Sequence, residues 1–177
     1  FMNIRNEIMK EHSKVQGRKI ARYIGSDKAK FRELMGYFMG DDYRLTQRAA
    51  CVMNEVLLVY PEMIKPYIKK AVLLLDQPVH DAVKRNLLRI MQVIDIPESL
   101  QGKTVESCFR LMRSSSEPLA VKVFSMTVVL QIAKKHPELK EELKASVQDI
   151  MERDHSPAVQ ARGRNTLKAL EKIHFAR

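Results

Sequence analysis

Apolar residues in this chain recur at the spacing of amphipathic helices, and the helices themselves recur. The clearest unit covers residues 43–75: a helical run over 43–60, a break at Pro61-Glu62, and a second run over 63–75. In the leading run, Leu45, Ala49, Val52, Met53 and Val56 stand at i, i+4, i+7, i+8 and i+11, which is one apolar stripe on a 3.6-residue helix. A step of 38 residues reproduces the stripe as Val83, Leu87, Ile90, Met91 and Ile94. Two further steps give Val121, Ser125, Val128, Val129 and Ile132, then Val159, Gly163, Thr166, Leu167 and Leu170. Three of the five columns are apolar in every copy, and the other two lapse only to Ser, Gly or Thr.

The trailing runs carry Met63, Ile64, Tyr67, Ile68, Val72 and Leu75, then Val105, Cys108, Leu111 and Met112, then Leu139, Leu143, Val147, Ile150 and Met151. Each begins near Pro61-Glu62, Pro97-Glu98 or Pro137-Glu138. Proline suits a first helical turn because its missing N–H would have no partner there, and glutamate favours the positive end of the helix dipole. Gln101-Gly102 interrupts one trailing pattern, which places that helix start at Lys103. The segments 76–78, 114–118 and 154–157 each set capping residues and a proline before the next leading run. Residues 2–12 read as a lead-in helix. The run Val15, Ile20, Tyr23 and Ile24 then ends at Gly25, and Ser26-Asp27 caps a helix bearing Phe31, Leu34, Met35 and Phe38 that Gly40 closes.

Helix pairs with one apolar face each bury it by stacking, so the predicted fold class is all-α: an α-α superhelix (α-solenoid) of four to five stacked antiparallel helix pairs. Proline, valine, a polar residue and small residues open residues 78–88 and 157–167, and this order resembles the leading helix of HEAT and armadillo-type repeats. The resemblance covers about 41–174 and extends to 13–40. It departs from the family where an aspartate is followed six positions on by arginine. Asp42 and Arg48 match, but Asp76 is followed by Ala82 and Asp154 by Gln160. The expected organisation is one solenoid domain over 1–177: an atypical N-terminal cap at 1–40, repeats at about 41–76, 77–115 and 116–154, and a capping helix at 155–177. The last helix is expected from Pro157 to about His174.

Composition narrows the chemistry more than it names a role. The longest apolar run, residues 71–75, is too short to cross a bilayer, so no membrane partner is expected. Phe1-Met2 reads as one extra residue before a native initiator, without a signal peptide, which points to the cytoplasm. Cys51 and Cys108 stand alone inside helical patterns and read as free buried thiols. The net charge of +10 is concentrated at the ends, with +5 over residues 1–40 and +4 over 155–177, while 41–76 is neutral. A groove that follows a phosphate backbone would be basic throughout.

His12, His80, His136, His155 and His174 are scattered near helix ends without metal-ligand spacing, so no cofactor and no metal are expected. His80-Asp81 reads as a helix cap rather than a base and its orienter, because adjacent helical side chains diverge by about 100°. No phosphate loop or nucleophile motif appears. A helical DNA-glycosylase reading needs aromatic and acidic residues at a lesion, and this chain has no Trp. What the resemblance implies is a non-enzymatic interaction module binding a protein or peptide on its concave face. The alternative is a nucleic-acid-binding solenoid, with a base-excision enzyme on the same scaffold behind it.

In the resembling family the trailing helices line the concave side, which makes Arg32, Lys65, Lys69, Lys103, Arg110, Lys140 and Lys144 the candidate partner-binding residues. Glu141, Glu142, Asp149 and Glu152 on the same helix as Lys144 dilute that positive field. The stripe assignment is testable directly. Val121→Asp puts a charge in the buried seam and should cost more than about 4 kcal/mol, whereas Lys144→Glu should change stability by less than about 0.5 kcal/mol. Similar losses of Tm in thermal melts of the two variants would show that the faces are misassigned.

Overall fold

The computed structural model describes residues 2–173, and the described residues form helices and no strand. In chain order these are α1 (Ile4–Lys10), α2 (Lys14–Ile24), α3 (Lys28–Phe38), α4 (Tyr43–Leu57), α5 (Ile68–Leu74), α6 (Asp81–Met91), α7 (Glu98–Arg113), α8 (Leu119–Ala133), α9 (Lys140–Arg153) and α10 (Pro157–Glu171). Short 3-10 helices at Pro61–Tyr67 and Pro137–Leu139 lead into α5 and α9. His174, the expected last residue of the final helix, lies outside the described residues.

Local chemistry explains where these helices start. In the first part of the chain side chains do the capping. Asn3 accepts from the Asn6 N–H at 2.9 Å, Ser13 from Gln16 at 3.1 Å, Asp27 from Ala29 at 2.9 Å, and Asp42 from Leu45 at 3.1 Å. Further on, Pro97 and Pro118 occupy the cap position, and Pro157 the first turn, without a side-chain cap. Gly25 ends α2 at φ +54°, a left-handed conformation that is inexpensive only without a Cβ.

Three local expectations need correction. The trailing run after Pro61 is not α-helical from its start, because Pro66 sits inside it and cannot donate to an i−4 carbonyl; the backbone stays 3-10 to Tyr67. Gln101-Gly102 does not delay α7, which runs unbroken from Glu98. Gln101 is buried and donates to the Ile96 carbonyl at 2.8 Å, while Gly102 faces open space. Val15, read as part of an apolar stripe, is 78% exposed at the start of α2.

Among the described residues the chain divides into two compact units, one of residues 2–71 and 78–86 and the other of 72–77 and 87–173. In the first unit α2 and α3 both pack on α4, and α1 packs on α2 and α4. Glu7 of α1 ties this cap to α2 by accepting from Lys19 Nζ and Gln16 Nε2, each at 2.9 Å. Lys19 and then Gln16 hold the Glu7 carboxyl below its ordinary value. In the second unit α8 packs on α7, α9 and α10, α10 also packs on α9, and α7 on α9. Leading helices thus meet leading helices (α8 with α10) and trailing meet trailing (α7 with α9).

The recurring stripe is the core. Leu45, Val83, Val121 and Val159 are all buried, Val121 and Val159 at 0% exposure. The next two columns are also buried in every copy, including the polar Ser125 and Thr166 and the side-chain-free Gly163. Only Ile94 and Leu167 are half-buried. Gly163 lets α10 approach α9, since a Cβ there would overlap Met151. Neither cysteine is in a disulfide among the described residues; Cys51 is only half-buried and Cys108 fully buried, where burial pushes its thiol up to about 12.

The Asp42–Arg48 pair that matches the family pattern does not pair here. Asp42 caps α4, with Arg5 3.9 Å from its carboxylate, and Arg48 Nη1 donates to the carbonyls of Met9 at 2.6 Å and Ile8 at 3.4 Å. Arg48 therefore satisfies carbonyls that the end of α1 leaves without helical partners. Arg48→Met should cost about 1–3 kcal/mol and raise amide exchange in α1 above that of α3. Uniform exchange across both helices would remove this role.

Candidate partner-binding surface

The seven cations singled out above fall into two groups. In the first unit Arg32 lies on α3, Lys65 in the 3-10 turn and Lys69 on α5, and all three are exposed. Phe31 meets Tyr67 edge-on with ring centroids 5.7 Å apart, joining the elements that carry these residues. Among the described residues, none of the three makes an ion pair or side-chain hydrogen bond. Lys144 on α9 in the second unit is likewise exposed and unpaired among the described residues.

Lys103, Arg110 and Lys140 are engaged within the second unit. Asp76, in the turn after α5, faces α7: Oδ2 lies 2.7 Å from Lys103 Nζ, and Oδ1 accepts from the Arg110 guanidinium. Lys103 and Arg110 are seven residues apart on α7, two helical turns, so both reach one carboxylate. Arg110 also donates to the Leu75 carbonyl at 3.4 Å. Lys140 Nζ donates to the Ile173 carbonyl at 3.1 Å. Beside them Arg113 pairs with Glu142 at 2.7 Å, joining α7 to α9.

Asp76 is the residue that pattern reading did not single out. Its partners stand 27 and 34 positions away, and their convergence exists only once α7 is folded against that turn. Burial alone would raise its carboxyl, but Lys103, together with Arg110, outweighs that and holds it below its ordinary value. The same pairing pushes the Lys103 ammonium up.

Two of the histidines, His80 and His136, serve local structure. His80 Nδ1 accepts from the Ala82 N–H at 3.0 Å, capping α6, and its ring lies 4.2 Å from that of Tyr43. His136 precedes the second 3-10 turn and bonds Gln101 at 2.8 Å through Nε2. Ser114 and Ser116, in the linker before α8, bond each other at 3.0 Å. Among the described residues, no group of three or more His, Cys, Asp or Glu is placed to hold a metal ion, and no helix is long and apolar enough to cross a membrane.

The depressed Asp76 carboxyl carries a pH signature. Its folded value is below the ordinary 3.8, so the stability it contributes is complete above about pH 4 and lost as pH falls through the folded value. Asp76→Asn should therefore lower Tm at neutral pH, with the difference from the parent chain shrinking below pH 4. A pH-independent difference in calorimetric melts would mean that ionisation of Asp76 is not involved.

No curated protein and no solved structure matches the chain. The model of the HEAT repeat domain family matches residues 4–170. That span includes α1 to α3, and the stacked helices and buried stripe are what such repeats require. The chain belongs to the HEAT repeat family, whose fold is the α-solenoid.

Proposed function

We propose that this chain is a non-enzymatic scaffold that binds an acidic protein or peptide segment along its trailing helices, the side that is concave in HEAT stacks. The observation that carries the reading is that each unit leaves exposed cations without a counter-charge among the described residues, Arg32, Lys65 and Lys69 in the first and Lys144 in the second. Within the second unit Lys103, Arg110 and Lys140 are engaged by internal bonds that hold them in fixed positions. Fixed cations lose little further freedom on binding, which favours recognition over loose attraction. HEAT repeats generally act as scaffolds for other proteins, and this chain shares that architecture.

The net charge of +10 favours duplex nucleic acid as a second reading. Against it stand Glu141, Glu142, Asp149 and Glu152 on α9, the helix that also carries Lys144. A continuous phosphate backbone would be repelled there, whereas a peptide can place its carboxylates selectively.

Fluorescence anisotropy with a glutamate-rich peptide and with duplex DNA separates the two. The peptide should remain bound at about 150 mM salt, and the combined Arg32→Glu, Lys65→Glu, Lys69→Glu and Lys144→Glu variant should weaken it at least about tenfold. Duplex DNA should be released as salt rises from about 50 to 200 mM. DNA binding that persists, or peptide binding indifferent to the charge reversal, would overturn the reading.

A further inference from the structure

In the second unit the leading helices α8 and α10 leave between them an open groove of about 560 Å³. Its lining is mostly apolar: Leu119, Ala120, Val123 and Phe124 from α8, and Ala158 and Ala161 from α10. Ala158 and Ala161 are exposed, and Leu119, Ala120 and Phe124 are half-buried, so this surface is reachable from solvent. The alanines leave space that larger side chains would fill. The volume lies in the roughly 300–1,000 Å³ range of pockets that bury a ligand, enough for more than one side chain.

Arg162 and Asn165 complete the lining. Arg162 is half-buried, and its Nη1 donates to Thr127 Oγ1 and, at 3.4 Å, to Gln92 Oε1. Both acceptors are neutral. They orient the guanidinium without compensating its charge, and no carboxylate lines the groove. Among the described residues Arg162 makes no ion pair, and its Nε and Nη2 donate to no acceptor. That free edge is the fork that binds a carboxylate through two parallel hydrogen bonds.

The corresponding groove of the first unit, about 340 Å³ between α2 and α4, differs in this respect. There Arg18 has its own carboxylate, Glu55 at 3.1 Å, whose side chain is only 13% exposed. Its second arginine, Arg22, is exposed, where water compensates the charge. Arg162 has lost part of that hydration and received no internal anion in exchange.

We infer that the groove between α8 and α10 is a docking site for an amphipathic segment of a partner protein, which presents an apolar side chain to the groove and, about one helical turn away, a carboxylate to Arg162. This surface belongs to the leading helices and is independent of the trailing-helix reading above. Asn165 at the groove edge supplies an amide for the segment's backbone. An uncharged apolar occupant would leave the Arg162 fork more deeply buried and still unpaired, which disfavours it.

The probe is a random displayed-peptide library panned on the full chain. Selected peptides should carry an apolar residue at i and Asp or Glu at i+3 or i+4. A synthetic copy should lose at least about tenfold in affinity on Arg162→Gln, on Ala161→Trp, which fills the groove, and on replacing its own acid by the amide. The acid-to-amide change should cost nothing further in the Arg162→Gln background, and Lys144→Glu should leave affinity unchanged. Circular dichroism melts verify folding, and Ala158→Trp replaces Ala161→Trp if the latter does not fold. Failure to enrich any peptide, enrichment without an acid, indifference to the tryptophan variant, or dependence on Lys144 would each overturn the proposal.

Discussion

Everything in this chain depends on one requirement: a short amphipathic helix must cover its apolar stripe with a neighbour of the same kind. Alone, a helix of eleven to fifteen residues, such as α6 or α8, is marginal in water. Burying a valine such as Val121 or Val159 contributes on the order of 1.5–3 kcal/mol, and the stripe repeats that gain in each copy. Leading helices therefore lie against leading helices in each unit, α2 on α4 and α8 on α10. Where the stripe lapses to Gly163, the lapse brings α10 closer to Met151 and does not leave a void.

Polar side chains serve two purposes around that seam. Some complete the fold: Arg48 receives the carbonyls at the end of α1, Asp76 gathers Lys103 and Arg110, and Gln101 closes the turn before α7. Others have no internal answer. Arg32, Lys65, Lys69 and Lys144 project charge into solvent, and Arg162 holds a half-buried guanidinium between neutral oxygens. Internal partners make the first group structural, and their absence makes the second group available for recognition. The proposed recognition of carboxylate-bearing segments rests on the second group alone.

The fold was legible because periodicity at 3.6 residues and recurrence at 38 reinforce each other over four copies. Caps at Asn3, Ser13, Asp27 and Asp42, and the glycine stop at Gly25, are local signals that need no tertiary context. Errors arose where a local signal was misjudged or overruled. Pro66 lies inside the trailing run and keeps it 3-10, a consequence of the missing N–H that pattern counting passes over. Gln101-Gly102 suggests a break in isolation, yet the bonds of Gln101 to Ile96 and His136 hold the helix start in place. Val15 matched the apolar period but lies at a helix end where no neighbour covers it.

The sequence by itself determined the all-α class, the repeat and its phase, the principal seam residues and most helix starts. These follow from spacing and from capping chemistry within a few residues. Only the tertiary structure decided which cations are spent and which are left. Lys103 and Arg110 meet a carboxylate 27 and 34 residues away, Arg48 reaches carbonyls 39 and 40 residues away, and Arg162 finds Thr127 and Gln92 from the far end of the chain. Electrostatic pairing depends on distance in space, falling off within about 10 Å at ordinary salt, and linear order carries no record of that distance until the helices have stacked.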